Sequence, residues 1–348
     1  MSAGEVIISV VMPNYNKGEQ AREAVQSFAA QPFPGKELIF TDDGSEDGSG
    51  EAVRAMAETL PCVKYIALPE NSGGGAARNA GVRQASGEFL LFMDSDDLMA
   101  PDVLGTTVEK ALAAEDCDFI TFPMGFFHRT PGDSDRLIGL PDARPPLPRF
   151  LRRDHPWLIS SPLWRKSFFE KIGGFDESLT SQQDYDLHVR ALIAGARFRQ
   201  FETPVSVYYR QDTESIPRAV SQSLDSLQMR AALIKRHLEA MTRAGVRNIE
   251  TDRAAAAQLL DLAQMLRWHK NTLRHTSAAE GLRIWMAAHE YKLISPEEYG
   301  VGMGYIRFKH NMLWNRMPRI QRNAELRFRK KLGDLLPELS PRKSVTRA

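Results

Sequence analysis

The first hundred residues repeat one pattern four times: a short apolar run, a polar cluster at its end, then a stretch with helical spacing. Val6–Met12 is β-branched and apolar and stops at Pro13, which reads as a strand buried on both faces. The loop Asn14-Tyr-Asn-Lys-Gly18 follows, and then Ala21–Ala30 places Ala21, Ala24, Val25 and Phe28 on one helical face. Glu37–Thr41 is a second strand closed by Asp42–Gly48, and Gly50–Leu60 a second helix. Val63–Leu68 is a third strand, and a glycine run leads into helix Gly75–Ala85. Glu88–Met93 is a fourth strand ending in Asp94-Ser-Asp-Asp97, ahead of helix Asp102–Ala114 and strand Asp118–Phe122. Such alternation predicts an α/β fold, a mostly parallel sheet with helices on both faces.

Ligands of open parallel sheets sit at the carboxyl ends of the strands. The four polar clusters all fall there, so they converge on one site. Beyond them, Thr130–Pro148 is rich in Pro, Gly and Asp and reads as a long exposed loop. From Pro217 the pattern turns purely helical, with Leu224, Leu227, Ala231, Ile234, Leu238 and Met241 on one stripe. Ser277–Glu280 and Ser295–Glu298 read as capping boxes. The organisation expected is therefore a catalytic domain over 1–215 and a C-terminal helical extension with a basic tail over 216–348.

Composition narrows the function classes. The net charge of +1 does not advertise a polyanion partner, although Arg307–Arg347 is strongly basic. Cys62 and Cys117 are far apart and outside any CxxC pattern, which fits core residues in a reducing, cytoplasmic setting. No apolar run approaches the ~20 residues that span a bilayer, and the start does not resemble a signal peptide.

The sharpest chemical signal is Asp94-Ser-Asp-Asp97. Three carboxylates at the mouth of a buried strand repel one another unless a cation lies among them. Hard oxygen ligands suit Mg²⁺ or Mn²⁺, which complete their shells with phosphate oxygens. The competing reading is a solvated acidic turn capping helix Asp102–Ala114. Asp42-Asp-Gly-Ser45 offers a carboxylate for a base or ribose, or is simply a β-turn. Asn71–Asn79 combines a glycine run, where backbone can approach a ligand, with Arg78, which can pair with phosphate. It has neither Walker nor GxGxxG spacing. Tyr15 could stack on a base. Downstream, Gln183–Arg190 fits a helix with Asp184 and Asp186 in its first turn, where helix-dipole complementarity and a general base are both readings.

Together these pieces resemble the family 2 glycosyltransferases of the GT-A (Rossmann-like) fold, over roughly Val6 to Arg210. The resemblance rests on Val10–Asn16, Glu37–Ser45, Asn71–Gly81, Asp94–Asp97, Gly173–Asp176, Gln183-Asp184 and Tyr209-Arg210, in that order. It implies transfer of a sugar from a nucleotide-sugar donor, UDP favoured, to an acceptor hydroxyl with inversion. Pro13, Asn14, Tyr15, Asp43, Asn71, Gly74, Arg78, Asp94 and Ser95 would hold the donor. Asp96, with Asp94 and Asp97, would bind Mn²⁺ or Mg²⁺, and Asp184 would be the catalytic base. The family pattern has Glu-Asp where this chain has Gln183-Asp184, and the base is the retained Asp. Some relatives place a metal-binding His after Tyr-Arg; Gln211 and Asp212 follow here, leaving a third ligand open.

His155, Trp157 and Trp164 are candidates to stack on a glycan or lipid-linked acceptor, or else are core. In the basic tail, Ile306, Phe308, Met312, Leu313 and Trp314 interleave with Arg307, Lys309 and Arg316. Such a helix can lie on the inner face of an anionic membrane. The alternative is an apolar stripe packed on the rest of the chain or on a second copy. No nucleic-acid module is recognisable. Other functions compatible with the residues are a non-catalytic nucleotide-sugar binder and a nucleotidyltransferase. The latter would carry a Gly-rich basic loop after the first strand, which Asn14–Gly18 is not.

Overall fold

In a computed structural model, residues 8–211, 224–265, 274–310 and 318–336 are described. The chain divides into two compact units, Met1–Pro146 with His155–Ser215, and Leu147–Asp154 with Ile216–Ala348.

The first unit alternates strands and helices: β1 (Ile8–Asn14), α1 (Gly18–Ala29), β2 (Lys36–Asp42), α2 (Ser49–Ala57), β3 (Val63–Ala67), α3 (Gly74–Gln84), β4 (Phe89–Phe92). In chain order there follow β5 (Leu98–Met99), α4 (Val103–Ala113), β6 (Phe119–Thr121), β7 (Met124–Phe127), β8 (Leu137–Ile138), α5 (Pro146–Leu151, most of it in the second unit), β9 (Pro162–Arg165) and α6 (Lys166–Lys171). The last elements are α7 (Gln183–Ile193), β10 (Phe198–Gln200) and β11 (Val207–Arg210). Seven strands form one sheet in the order β10-β6-β9-β4-β1-β2-β3. β1 runs parallel to β2 and β4, β2 to β3, and β6 to β10. Only β9 is reversed in this sheet, antiparallel to both β4 and β6. Its place between them was not foreseen, because Pro162–Arg165 is too short to carry a periodic signal. A second sheet, β5-β11-β7-β8, lies just downstream of the Asp94–Asp97 loop in the chain.

Strand periodicity explains the two covered faces of β1. Val10 and Met12 join Ala21, Ala24, Val25 and Phe28 of α1 and Val103, Leu104 and Val108 of α4 in one buried cluster. Val11 points the other way, toward α3, where a Cβ on Gly81 would come within 2.6 Å of Val11 Cγ1. Glycine is what lets α3 approach the sheet this closely.

The N-terminus of α4 bears on the acidic loop. Buried Gln31 accepts from the backbone N–H groups of Val103 and Leu104 through its Oε1 (2.9 and 3.2 Å) and donates to Ala100 O (2.8 Å). Two of the orphan donors of α4 are thus satisfied by Gln31. The Asp94–Asp97 cluster is not the cap of this helix.

The second unit is helical: α8 (Leu224–Ala244), α9 (Ile249–Met265), α10 (Arg274–Glu290), α11 (Pro296–His310) and α12 (Pro318–Leu332). Segment 147–154, most of α5 included, belongs with it rather than with the residues around it in sequence. The expected Ser295 box is formed: Ser295 N donates to Glu298 Oε2 (2.9 Å) and Glu298 N to Ser295 Oγ (3.2 Å). Ser277 instead lies inside α10, which begins at Arg274. Ile306 is fully buried and Phe308 packs on Phe328 at 5.6 Å, so these two apolar side chains are used within the helical unit. Met312, Leu313, Trp314 and Arg316, and the end of the basic tail, lie outside the described residues. Among the described residues no helix is long and apolar enough to cross a membrane.

Candidate active site

The site is organised by Asn14, the last residue of β1. Its Nδ2 reaches Asp42 Oδ1 (3.0 Å), Ser45 Oγ (3.0 Å) and Ser49 Oγ (2.9 Å), and its Oδ1 accepts from Ser95 Oγ (2.9 Å). One 2 % exposed amide therefore ties together the loops that follow β1, β2 and β4. Asn14 and Ser95 were expected to touch the donor; their polar atoms instead hold each other and the loop framework.

Asp43 does the same for the glycine-rich loop. Its two carboxylate oxygens accept from Ser72 N (2.8 Å) and Gly73 N (2.9 Å). A carboxylate has about four lone-pair sites, so Asp43 retains acceptor capacity while it fixes this loop. Gly73 has φ of 89°, a left-handed value that favours glycine. Asn71 is exposed and its Oδ1 accepts from Gly73 N (3.1 Å). Tyr15 is 45 % exposed and Pro13 half-buried beside it in the chain.

The three carboxylates of Asp94, Asp96 and Asp97 each offer an oxygen, and these oxygens lie within 4.8 Å of one another. Arg78, near the start of α3, pairs with Asp94 and lies over the ring of Phe175 (5.5 Å). Lys17 pairs with Asp96. Asp97 is buried; desolvation first, and then the charges of Asp94 and Asp96, push its carboxyl well above the usual range. Arg210 steadies this loop from β11: its N–H donates to Asp97 Oδ1 (3.0 Å), its Nε to Asp96 O (2.8 Å), and its Nη2 reaches Glu23 (2.5 Å). Burial lowers the Lys17 ammonium, but the Asp96, Asp94 and Asp97 charges outweigh it and hold the group above its ordinary value.

Tyr209 shows that Asp184 shares this space. Its phenol is pushed up to about 12 by burial and by the charges of Asp97, Asp94, Asp96 and Asp184. Asp184 sits in the first turn of α7, whose preceding residue Gln183 packs on the glycine run. A Cβ on Gly75 would meet Gln183 Cδ at 3.3 Å, and one on Gly74 would meet both Arg78 Nη1 (3.0 Å) and Gln183 Oε1 (3.4 Å). Helix α7 is anchored by Asp186, which is fully buried and pairs with Arg190 (2.7 Å). Arg190 in turn donates to Ile172 O (2.7 Å) and Gly174 O (2.6 Å), and Asn79 holds Phe175 through N–H and C=O. Asp43, Arg78, the acidic cluster and the start of α7 are thus linked through the glycine-rich loop and the N-terminal turns of α3 and α7.

Two acceptor expectations are corrected. Trp157 and Trp164 are fully buried, packed on Phe119 (5.7 and 4.4 Å) and around His188 (5.9 and 6.0 Å). An indole enclosed on all sides has no face to offer a sugar. His155 is half-buried. Lys17 and Gln183 were not named as site residues. Lys17 meets its partner Asp96 across 79 residues of chain, and no local sequence signal links either residue to the groups it packs on.

The fold and site define a class: a GT-A fold with an acidic strand-end cluster. Residues 9–161 match the sequence model of Glycosyl transferase family 2. Over those residues, which are under half of its length, the chain resembles that family. Among curated relatives, the succinoglycan biosynthesis protein ExoO of Rhizobium meliloti is 32% identical over 203 residues, covering 55% of this chain and 57% of that protein. ExoU of the same organism is 27% identical, covering 57% and 60%. The matches thus span little more than half of either relative. Among solved structures, S. aureus TarS 1-349 in complex with UDP-GlcNAc aligns with TM-score 0.66 at 20% identity, covering 93% of this chain and 92% of that one. The mannosyltransferase PcManGT from Pyrobaculum calidifontis, in complex with GDP-Man and Mn²⁺, aligns with TM-score 0.53 at 20% identity, covering 93% and 87%. Both likenesses speak to fold.

Proposed function

We propose that the chain transfers a sugar from a nucleotide diphosphate donor, a UDP-sugar above others, to an acceptor hydroxyl with inversion at the anomeric carbon. The observation that carries this reading is the cluster of Asp94, Asp96 and Asp97, whose charges, with that of Asp184, reach the Tyr209 phenol. Three mutually repelling hard-oxygen donors fit Mn²⁺ or Mg²⁺. When bound there by Asp94, Asp96 and Asp97, the cation supplies positive charge for the departing diphosphate.

The chain's own residues do the rest. Asp43 keeps the glycine-rich loop closed over the nucleotide, and Tyr15 offers its exposed ring to the base. Arg78 lies between Asp94 and the α3 N-terminus, where a phosphate oxygen meets both a guanidinium and helix N–H groups. Asp184 accepts the proton of the acceptor hydroxyl as that oxygen attacks the anomeric carbon and the sugar–phosphate bond breaks on the opposite side. Names such as succinoglycan biosynthesis protein among the relatives favour a growing polysaccharide or glycoconjugate as acceptor.

The test is a screen of nucleotide sugars by thermal shift with Mn²⁺, then release of nucleoside diphosphate from the best binder. Asp184→Asn is expected to keep donor binding and lose transfer at least 10³-fold, roughly the rate supplied by a positioned base. Pyrophosphate release would instead mark a nucleotidyltransferase, and binding without turnover a non-catalytic binder.

A further inference from the structure

Lys17 is one of two cations that the acidic cluster holds within the chain itself, Arg78 on Asp94 being the other. Its Nζ pairs with Asp96, and the charges of Asp94 and Asp97 reach it as well. The backbone around it is pinned to the loop after β2. Asn16 N donates to Ser45 Oγ (3.0 Å), Glu46 N to Asn16 Oδ1 (2.8 Å), and Gly18 N to Asp47 Oδ2 (2.7 Å). The loop is fixed, but the four-carbon stem of a lysine is not. The side chain is 39% exposed, so its ammonium has open space to swing into.

Charge counting then sets up a competition. The Lys17 ammonium and the Arg78 guanidinium beside three carboxylates leave the cluster with one net negative charge, still attractive to a divalent ion. Yet that ion and the ammonium want the same oxygens of Asp96, and as like charges they repel at contact distance. A diphosphate removes the conflict, because it carries negative oxygens to which the released ammonium can turn. We propose that Lys17 is an exchangeable counter-ion, handed from Asp96 to the donor's diphosphate when a divalent cation enters, so that cation and diphosphate bind with positive coupling. The inference rests on the nucleotide-sugar reading for its second half only; the competition between ammonium and cation stands on the acidic cluster alone. Coupling of this kind is reciprocal, so the cation must tighten the nucleotide by the same factor as the nucleotide tightens the cation.

The experiment is calorimetric titration of the full chain and its Lys17→Met variant with Mn²⁺ alone, with UDP alone, and with UDP in saturating Mn²⁺. The wild type is expected to bind Mn²⁺ weakly alone and at least tenfold more tightly with UDP present. Lys17→Met is expected to bind Mn²⁺ alone at least fivefold more tightly than wild type, with the coupling factor cut by a similar amount. Its metal-free melting temperature should fall, and Mn²⁺ should raise it by more than in the wild type. Lys17→Gln serves if the methionine variant folds poorly. Equal or weaker Mn²⁺ affinity in the variant, or an unchanged coupling factor, overturns the proposal. If neither protein binds UDP under any condition, the nucleotide-sugar reading fails instead, and the Mn²⁺-alone comparison still decides whether Lys17 competes with the cation.

Discussion

Replacing Asn14 by alanine removes the residue that joins three of the strand-end loops. Three acceptors lie within 3.0 Å of its Nδ2, but an amide has only two hydrogens, so two full donor bonds are shared among them. A third full bond is accepted from Ser95. One donor bond goes to the Asp42 carboxylate, worth about 1.5–3 kcal/mol, and the other two are neutral, worth about 0.5–1.5 kcal/mol each. The loss comes to roughly 4 kcal/mol, because the buried Ser95 and Asp42 groups are left short of a partner and water cannot readily replace the amide. For a unit of this size that corresponds to a fall in melting temperature of about 8–16 °C. Calorimetry of the full chain reads it, with the buried Trp157 and Trp164 as fluorescent reporters of the first unit. A shift below 2 °C would mean that Asn14 does not join the loops, and the argument for a preassembled site would fail with it.

Other outcomes follow from single features. His188 is fully buried against Trp164, and burial lowers its imidazole to about 4, beyond what the nearby Asp184 charge offsets. Its folded value lies below the unfolded value near 6.5, so its contribution is complete above pH ~6.5 and is lost as pH falls toward ~4. That limb is worth about 3 kcal/mol; denaturant titrations across this range should be flatter for His188→Phe than for the wild type. Gly302→Ala would place a Cβ 2.4 Å from the ring of Trp285, and overpacking of this kind costs about 1–3 kcal/mol. A melting temperature equal to wild type would show that α10 and α11 do not pack as described.

The repeated pattern in the first hundred residues was readable because each strand of the parallel sheet is a continuous apolar run ending in a polar cluster. Val10, Leu38 and Phe40 could only be core, and are fully buried. Asp94, Asp96 and Asp97 were legible as a carboxylate cluster for the same local reason. What the sequence hid was non-local. Nothing in Pro162–Arg165 announces a reversed strand between β4 and β6, because antiparallel insertion is settled by pairing across the sheet. Trp157 and Trp164 were open to both an acceptor and a core reading from their neighbours in sequence, and their contacts with Phe119 and His188 show them enclosed. Asn14 and Asp43 were recognised as site positions, yet their hydrogen bonds point to neighbouring loops, a distinction that spacing does not encode.

The most direct test is a crystal of the chain grown with UDP and Mn²⁺, with data collected at a wavelength where manganese scatters anomalously. The account expects a single strong anomalous peak among the carboxylates of Asp94, Asp96 and Asp97, touching the diphosphate, with Lys17 turned away from Asp96. UDP bound elsewhere, or well-ordered UDP in the cleft with no manganese peak beside those three residues, would contradict it.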